Sequence, residues 1–412
     1  MSHHALGVRL FTLVVMTLVG LACAAPPPPT PAPTAKPAPV APTAAPTAAA
    51  KPAAPTAAAP AAAPTAVPKP TAAPAPTAAK ALKKLIFTNN VKAPVPEIPH
   101  FYIPEPLGYF AEEGLAVSLT GSDGGGQSIQ LLGNKQTDIV IGGQDAYFQL
   151  TAAGNKLPMK AVFGSNYRII YQFGVKPDSP AKTAQDLKGK KIGVVSLAHA
   201  GLSYAKFALR NAGLDPEKDV EYVVVGQGAA AGNFLQKGDV DVLALWDVQY
   251  VALERLGIPV RVIPHPPLID KIRAGHVFTV REDSLKENRD AFVGYLRAFA
   301  KGVAFMQTNP EAAVRIYFKM YPESVPTGIA LDQAVANAVA GVKFRVDHNT
   351  YRIEGKPRGF MDIEAFKLYL DFLAIDGSKV DLNAYLDSGL IDDVNKFDEQ
   401  KVRDQARSYK VQ

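Results

Sequence analysis

The sequence predicts an α/β protein of two lobes carried on a long, unstructured tether. Three observations carry that reading. Short β-prone runs alternate with helical ones from about residue 82 to residue 281, the pattern of mostly parallel sheets with helices on both faces. The roughly 330 residues after position 81 exceed what a single hydrophobic core usually serves. Residues 24–80 contain only Ala, Pro, Thr, Val and four lysines, so they cannot bury enough apolar surface to offset the entropy of ordering.

The elements follow in order. Leu85–Thr88 is a short apolar strand. Pro106–Glu113 reads as a helix stopped by Gly114. Leu115–Thr120 is the next strand, followed by a glycine loop and the helix Gln127–Leu132. Thr137–Gly142 is a strand and Gln144–Ala153 a helix. The rhythm returns with strands at Lys191–Val195, Val220–Val225 and Val240–Leu245, and helices at Gly201–Ala212, Ala229–Lys237 and Val248–Leu256. After residue 281 the chain turns helical. Phe292, Tyr295, Phe299, Val303 and Met306 recur at helical spacing and read as core. Asn309-Pro310-Glu311 supplies a cap, a proline at the first helical position and an acid in the first turn. Further helices are expected at Leu331–Gly341 and Ile363–Leu373.

Two β-prone runs, Ile170–Val175 and His276–Val280, look like crossings between lobes. Each leads into a charged turn, Lys176-Pro177-Asp178-Ser179 and Arg281-Glu282-Asp283-Ser284. On that reading lobe I is 82–173 plus 277–412, and lobe II is the inserted segment 174–276.

The N-terminal region points outside the cytoplasm. Met1 to Arg9 is a weakly basic head, and Leu10 to Ala22 is an apolar run of signal-peptide length, too short to span a bilayer comfortably. Cys23 is the only cysteine, so it has no internal disulfide partner. Gly20-Leu21-Ala22-Cys23 resembles a bacterial lipobox, with Gly20 where Leu or Val is preferred. That resemblance implies a signal peptide over 1–22, a lipidated Cys23, and a tether over 23–81. Its dense prolines favour an extended chain, whose reach at ~3.1 Å per residue is on the order of 180 Å. Arg9 and the four tether lysines account for five of the six net positive charges, so residues 82–412 are close to neutral. That balance argues against a nucleic-acid partner.

The folded part resembles the solute-binding lipoproteins of ABC importers, in the nitrate/sulfonate/taurine group that also contains thiamine-pyrimidine-synthase-like proteins. The resemblance spans about 83–325 and rests on four segments in order. These are Pro106–Leu115 (PLGYFAEEGL), Thr137–Gly142 (TDIVIG), Asp186–Val194 (DLKGKKIGV), and Gly238–Val242 with Trp246-Asp247. It implies a type II periplasmic-binding-protein fold, a Venus flytrap that closes on a small solute and delivers it to a permease driven by an ATPase. The protein would be a monomer anchored to the outer face of the cytoplasmic membrane. The relatives that make thiamine pyrimidine are enzymes needing a lysine, a histidine and a cysteine-rich motif. With its one cysteine in the lipobox, this chain is expected to be no enzyme and to carry no cofactor. A surface structural or adhesive lipoprotein is the remaining alternative.

In open α/β sheets ligands bind beyond the C-terminal ends of the strands. The loops there give the candidate ligand contacts: Asn89, Asn90, Gly125, Gln127, Gln144, Asp145, Asn166 and Tyr167 from lobe I, and His199, Gln227, Trp246 and Asp247 from lobe II. His100, between Pro99 and Phe101, joins them. Several of these loops are glycine-rich and run straight into helices, which suits acceptor-rich ligands. Gly124–Gly126 reads equally as a mobile tight turn. Trp246 reads as an aromatic wall or as core, and His199 as a contact or a solvated turn residue. The histidines lack metal-binding spacing, so no metal is expected. Arg168 is the nearest candidate for a cleft cation, while Asp123, Asp145 and Asp247 give the loops an acidic cast. That composition favours an amine-bearing or heteroaromatic solute, a thiamine-precursor-like pyrimidine for example, slightly over a sulfonate.

Overall fold

The computed structural model describes residues 81–348 and 350–410. The apolar leader, Cys23 and the Ala/Pro/Thr tract lie outside the described residues. Among those described, ten strands form: β1 (Lys83–Asn89), β2 (Leu115–Gly121), β3 (Ile139–Ile141), β4 (Met159–Gly164), β5 (Tyr171–Val175), β6 (Lys191–Val194), β7 (Glu221–Val224), β8 (Val242–Trp246), β9 (Arg261–Ile263) and β10 (Val277–Arg281).

They make two five-stranded sheets, ordered β2-β1-β3-β10-β4 and β7-β6-β8-β5-β9. The two orders are one topology used twice. Each sheet has three parallel strands from successive βα units, then a strand that crosses from the other lobe, then an edge strand. The crossing strands run against their neighbours: β10 is antiparallel to β3 and β4, and β5 to β8 and β9. The sheets are therefore mixed, more so than the sequence pattern implied. A strand that re-enters a sheet from elsewhere is not bound by the βαβ crossover that keeps neighbours parallel.

Helices fill the connections. The first lobe uses α1 (Tyr109–Glu112), α2 (Gly125–Gly133) and α3 (Gln144–Ala152). The second uses α4 (Ala200–Asn211), α5 (Ala229–Lys237), α6 (Asp247–Arg255) and α7 (Leu268–Lys271). A helical segment follows: α8 (Glu282–Thr308), α9 (Pro310–Met320), α10 (Leu331–Asp347), α11 (Ile363–Leu373), α12 (Leu382–Tyr385), α13 (Ile391–Val394) and α14 (Glu399–Ser408). None among the described residues is long and apolar enough to cross a membrane.

The helical stripe on α8 is core as expected: Phe292, Tyr295, Phe299, Val303 and Met306 are all buried. With Phe87, Phe101 and Phe278 they build an aromatic cluster, Phe87 stacking on Phe101 at 5.8 Å and Phe299 meeting Phe278 edge-on at 4.8 Å. Asn309 caps α9 by accepting from the Ala312 amide at 3.0 Å, with Pro310 behind it.

Two local expectations change. Arg281–Ser284 is no turn, because α8 begins at Glu282, with Glu282 and Asp283 in a first turn where acids favour the helix. The helix over Pro106–Glu113 shrinks to α1, since Gly108 sits at φ +78° in the left-handed region and interrupts it.

Candidate functional site

The strand-end loops of both sheets meet around two adjoining cavities. The larger, about 180 Å³, is walled by Asn90, Gly125, Gly143, Gln144 and Asp145 on one side and by Leu197, Ala198, His199 and Ser203 on the other. The smaller, about 40 Å³, is walled by Asn89, Asn90, His100, Asn166, Tyr171, His199, Trp246, His276, Arg345 and Tyr351. Asn90, His199 and His276 line both.

The lobes touch across this gap. The Gly126 amide donates to Ala198 O at 3.3 Å, and the Ser196 hydroxyl donates to Asp123 O. The glycine run makes the contact possible. A Cβ on Gly124, at φ +129°, would lie 2.6 Å from Ala198 O, and one on Gly125 would lie 2.8 Å from Gly142 O. Gly125 lines the cavity, while Gly124 seats the opposing loop.

The crossing strands also meet here. Tyr171, at the start of β5, shares a hydrogen bond of 3.2 Å with His276 Nε2, just ahead of β10. The His276 amide donates to Asn166 Oδ1 at 2.7 Å, and a Cβ on neighbouring Gly275 would collide with that oxygen.

The cavity histidines are held neutral. Burial pushes His199 down to about 4. Burial, then His199 and Arg345, push His276 down to about 3. Burial, then Arg345, keep His100 well below the usual histidine value. His199 caps α4, its Nδ1 accepting from the Gly201 amide at 3.2 Å, so its proton sits on Nε2. His100 Nδ1 rests 3.2 Å from Met306 Sδ. Its ring meets Tyr351 edge-on at 4.9 Å.

Trp246 is both core and wall. It is 4% exposed within the main core, lines the smaller cavity, and packs on His199 with ring centroids 5.4 Å apart. Gln144 lines the larger cavity, but its side chain is spent on structure, donating to Tyr369 Oη and Gly275 O. Asp145 beside it accepts from the Tyr369 hydroxyl at 2.6 Å.

Four expected contacts lie off the cavity walls. Gln127 folds back to accept from the Asp123 amide at 2.7 Å. Gln227 is half-buried in a loop apart from both cavities. Tyr167 accepts from the Gly359 amide at 3.0 Å, fastening the C-terminal segment. Asp247 is committed to Arg345, accepting from its Nη2 at 2.7 Å and Nε at 3.0 Å.

Arg345 is the cation that the sequence reading missed. It stands on α10, 5% exposed, on the wall of the smaller cavity. Burial works against its charge, but Asp247 and Tyr351 hold the guanidinium charged. Arg168, the expected cation, lines neither cavity. Tyr351 and Tyr369 were missed with Arg345, because all three come from the helical segment rather than from a βα loop. One signal was available. Ala334, Ala338, Gly341 and Arg345 fall at helical spacing on the buried face of α10, so a charge occupies a core position. Among the described residues, no group of three or more His, Cys, Asp or Glu is placed to hold a metal ion.

The family model described as NMT1/THI5 like matches residues 95–313, just over half of the 412. The chain belongs to the NMT1/THI5-like family. The match takes in β2 to β10 and their loops but stops short of α10, so Arg345 lies beyond the matched part of the family. Binding protein YtlA of Bacillus subtilis (strain 168) is 23% identical over 233 residues, 53% of this chain and 67% of that protein. A solved structure from Bordetella bronchiseptica RB50 covers 77% of this chain and 98% of its own, with a TM-score of 0.61 and 23% identity. The alkanesulfonate-binding protein SsuA from Xanthomonas axonopodis pv. citri, solved bound to MOPS, covers 76% and 100% at TM-score 0.53 and 15% identity. The periplasmic aliphatic sulphonate binding protein SsuA from Escherichia coli covers 73% and 91% at TM-score 0.50 and 21% identity. The likeness establishes the two-lobe periplasmic-binding-protein fold for this chain.

Proposed function

We propose that this protein is the extracytoplasmic solute-binding component of an ABC importer. It encloses a small polar organic solute between its lobes and presents the closed form to a permease and its ATPase. The observation that carries the reading is the paired cavity, built from strand-end loops of both lobes and floored by the two crossing strands. Such a site opens and closes by bending at those strands. Lipidation of Cys23 would tether the protein to the outer face of the membrane.

The electrostatics favour a neutral or donor-bearing solute over an inorganic anion or a sulfonate. Arg345 is neutralised by Asp247, and Lys206, which lines the larger cavity, pairs with Glu217 at 2.7 Å. The histidines are neutral. An anion would therefore lose its water without gaining a free cation. A flat heteroaromatic ring, pyrimidine-like, suits the aromatic wall of Trp246, His199 and Tyr171.

The same arrangement weighs against an enzyme on this fold. Among the described residues Lys206 is the only lysine on the cavity walls, and it is paired with Glu217.

Native mass spectrometry of residues 82–412 purified from the source cell tests the reading. A stoichiometric small molecule should be retained, and adding it back to stripped protein should change the fluorescence of Trp246, the only tryptophan. Trp246→Leu, which removes the aromatic face, should weaken that binding on the order of tenfold by calorimetry, the scale of one lost aromatic contact. A domain that retains nothing and responds to no extract of its cell would sink the proposal.

A further inference from the structure

Among the described residues, Asp145 is the one acid on the cavity walls, and the protein leaves one of its oxygens without a partner. It is 8% exposed and opens the first turn of α3. Its Oδ1 accepts from the Tyr369 hydroxyl at 2.6 Å. Its Oδ2 is buried and has no hydrogen-bond partner. Burial raises the Asp145 carboxyl above the ordinary carboxylate range, opposed by the Tyr369 hydroxyl and by Ser203 across the same cavity, so a donor arriving at Oδ2 would favour the charged form. A buried carboxylate oxygen is rarely left without a hydrogen-bond partner, because its desolvation then goes uncompensated, so a partner is missing from the free protein.

The neighbouring groups decide what kind of partner is missing. Lys206 is drawn away to Glu217, and Arg345 is engaged with Asp247. His199 and His276 carry no charge to offer. The first-turn position of Asp145 itself places a carboxylate at the positive end of α3, so the helix already has its anion. Asn89, which lines the smaller cavity, also has a bare buried oxygen, but an amide turned over would offer a donor instead. Only Asp145 discriminates.

We propose that the solute offers an N–H donor, as an ammonium, an amidinium or an amine on a ring, to Asp145 Oδ2, and that Asp145 thereby sets the specificity of the site against anionic solutes. This rests on the solute-binding reading above and goes beyond it by naming the chemistry at one end of the solute. In the complex the donor completes the second oxygen of a carboxylate whose first is fixed by Tyr369, which orients the solute toward Trp246 at the far side.

Two probes of one ring size test this: benzamidine and benzenesulfonate, added to the domain after unfolding, dialysis and refolding. Benzamidine should raise the melting temperature by roughly 3 °C or more near saturation, and benzenesulfonate should not. Asp145→Asn keeps the shape and can still accept from Tyr369, but it loses the charge. It should bind benzamidine at least tenfold more weakly. Asp145→Ala serves as a second variant, with the melting temperature of the free protein as the check on folding. A shift from benzenesulfonate that survives in Asp145→Asn would show an anion held by a donor at this position and overturn the proposal. So would an undiminished benzamidine shift in the variant, or no benzamidine shift at all. The solute-binding reading fails separately, through a domain that retains no molecule from its cell.

Discussion

Arg345 carries a charge into the interior, and Asp247 is what makes it tolerable. Removing one partner of a buried pair strands the other, at a cost of about 3–5 kcal/mol. Arg345→Met and Asp247→Leu should each lower stability in urea unfolding by about that much, while the double substitution should cost clearly less than the sum. Additive losses would mean the pair contributes no coupling. Glu97 stands near the same guanidinium. Burial, partly countered by a backbone hydrogen bond and by Arg345, raises its carboxyl from 4.5 to about 7. The folded state therefore holds a proton that the unfolded state releases above 4.5. Stability from this group is whole below that value, falls as pH rises, and is lost once pH passes about 7. The loss is on the order of 3 kcal/mol. Glu97→Gln should flatten that part of the stability–pH curve, and an unchanged slope between pH 4.5 and 7 would show that Glu97 is not its source. Neither residue was legible as a pair in the sequence, since Glu97 sits in an irregular loop and Arg345 lies some 250 positions away on a helix.

At the scale of elements, the βα units and the helices after residue 281 were both legible, but what those helices bring to the cavities was not. Strand-end loops announce themselves by apolar runs ending in small or polar residues, so Asn90, Gly125, Asp145, His199 and Trp246 could be placed on cavity walls from spacing alone. What α10 and α11 add depends on how a helix packs against distant loops, and no local pattern encodes that. Gly341 shows the packing: a Cβ there would come within 2.7 Å of Glu97 Cγ, so the Glu97 loop rests directly on the α10 backbone. The loop between β2 and α2 has an analogous demand. Gly124→Ala should strain a backbone at φ +129° and push Ala198 away. The expected result is a loss of about 1–3 kcal/mol and a larger radius of gyration in small-angle scattering as the lobes part. A variant as stable and compact as the parent would show that the Gly124–Ala198 contact does not hold the lobes together.

For the whole molecule, the composition of residues 24–80 sets an expectation that is independent of the cleft. Without aromatic or acidic side chains, this tract has nothing with which to join a core, so the domain 82–412 should melt at the same temperature as 24–412, within error. A clear difference would show the tract packing on the domain. Cys23→Ser should shift the protein from the membrane fraction to the soluble or unprocessed one. Identical fractionation of both forms would remove the lipid anchor from the proposal. The order of the first sheet has a consequence of another kind. β4 is made early, yet its partners are β10, Leu386 and Gly359, all made late. β10 is also what joins β4 to the rest of its sheet. During synthesis β4 stays unpaired until the whole second lobe and then β10 have emerged, and its contacts with Gly359 and Leu386 come later still. Pairing across so much chain is slow to form. For a chain proposed to cross a membrane before it works, that delay keeps the polypeptide threadable through most of its translation.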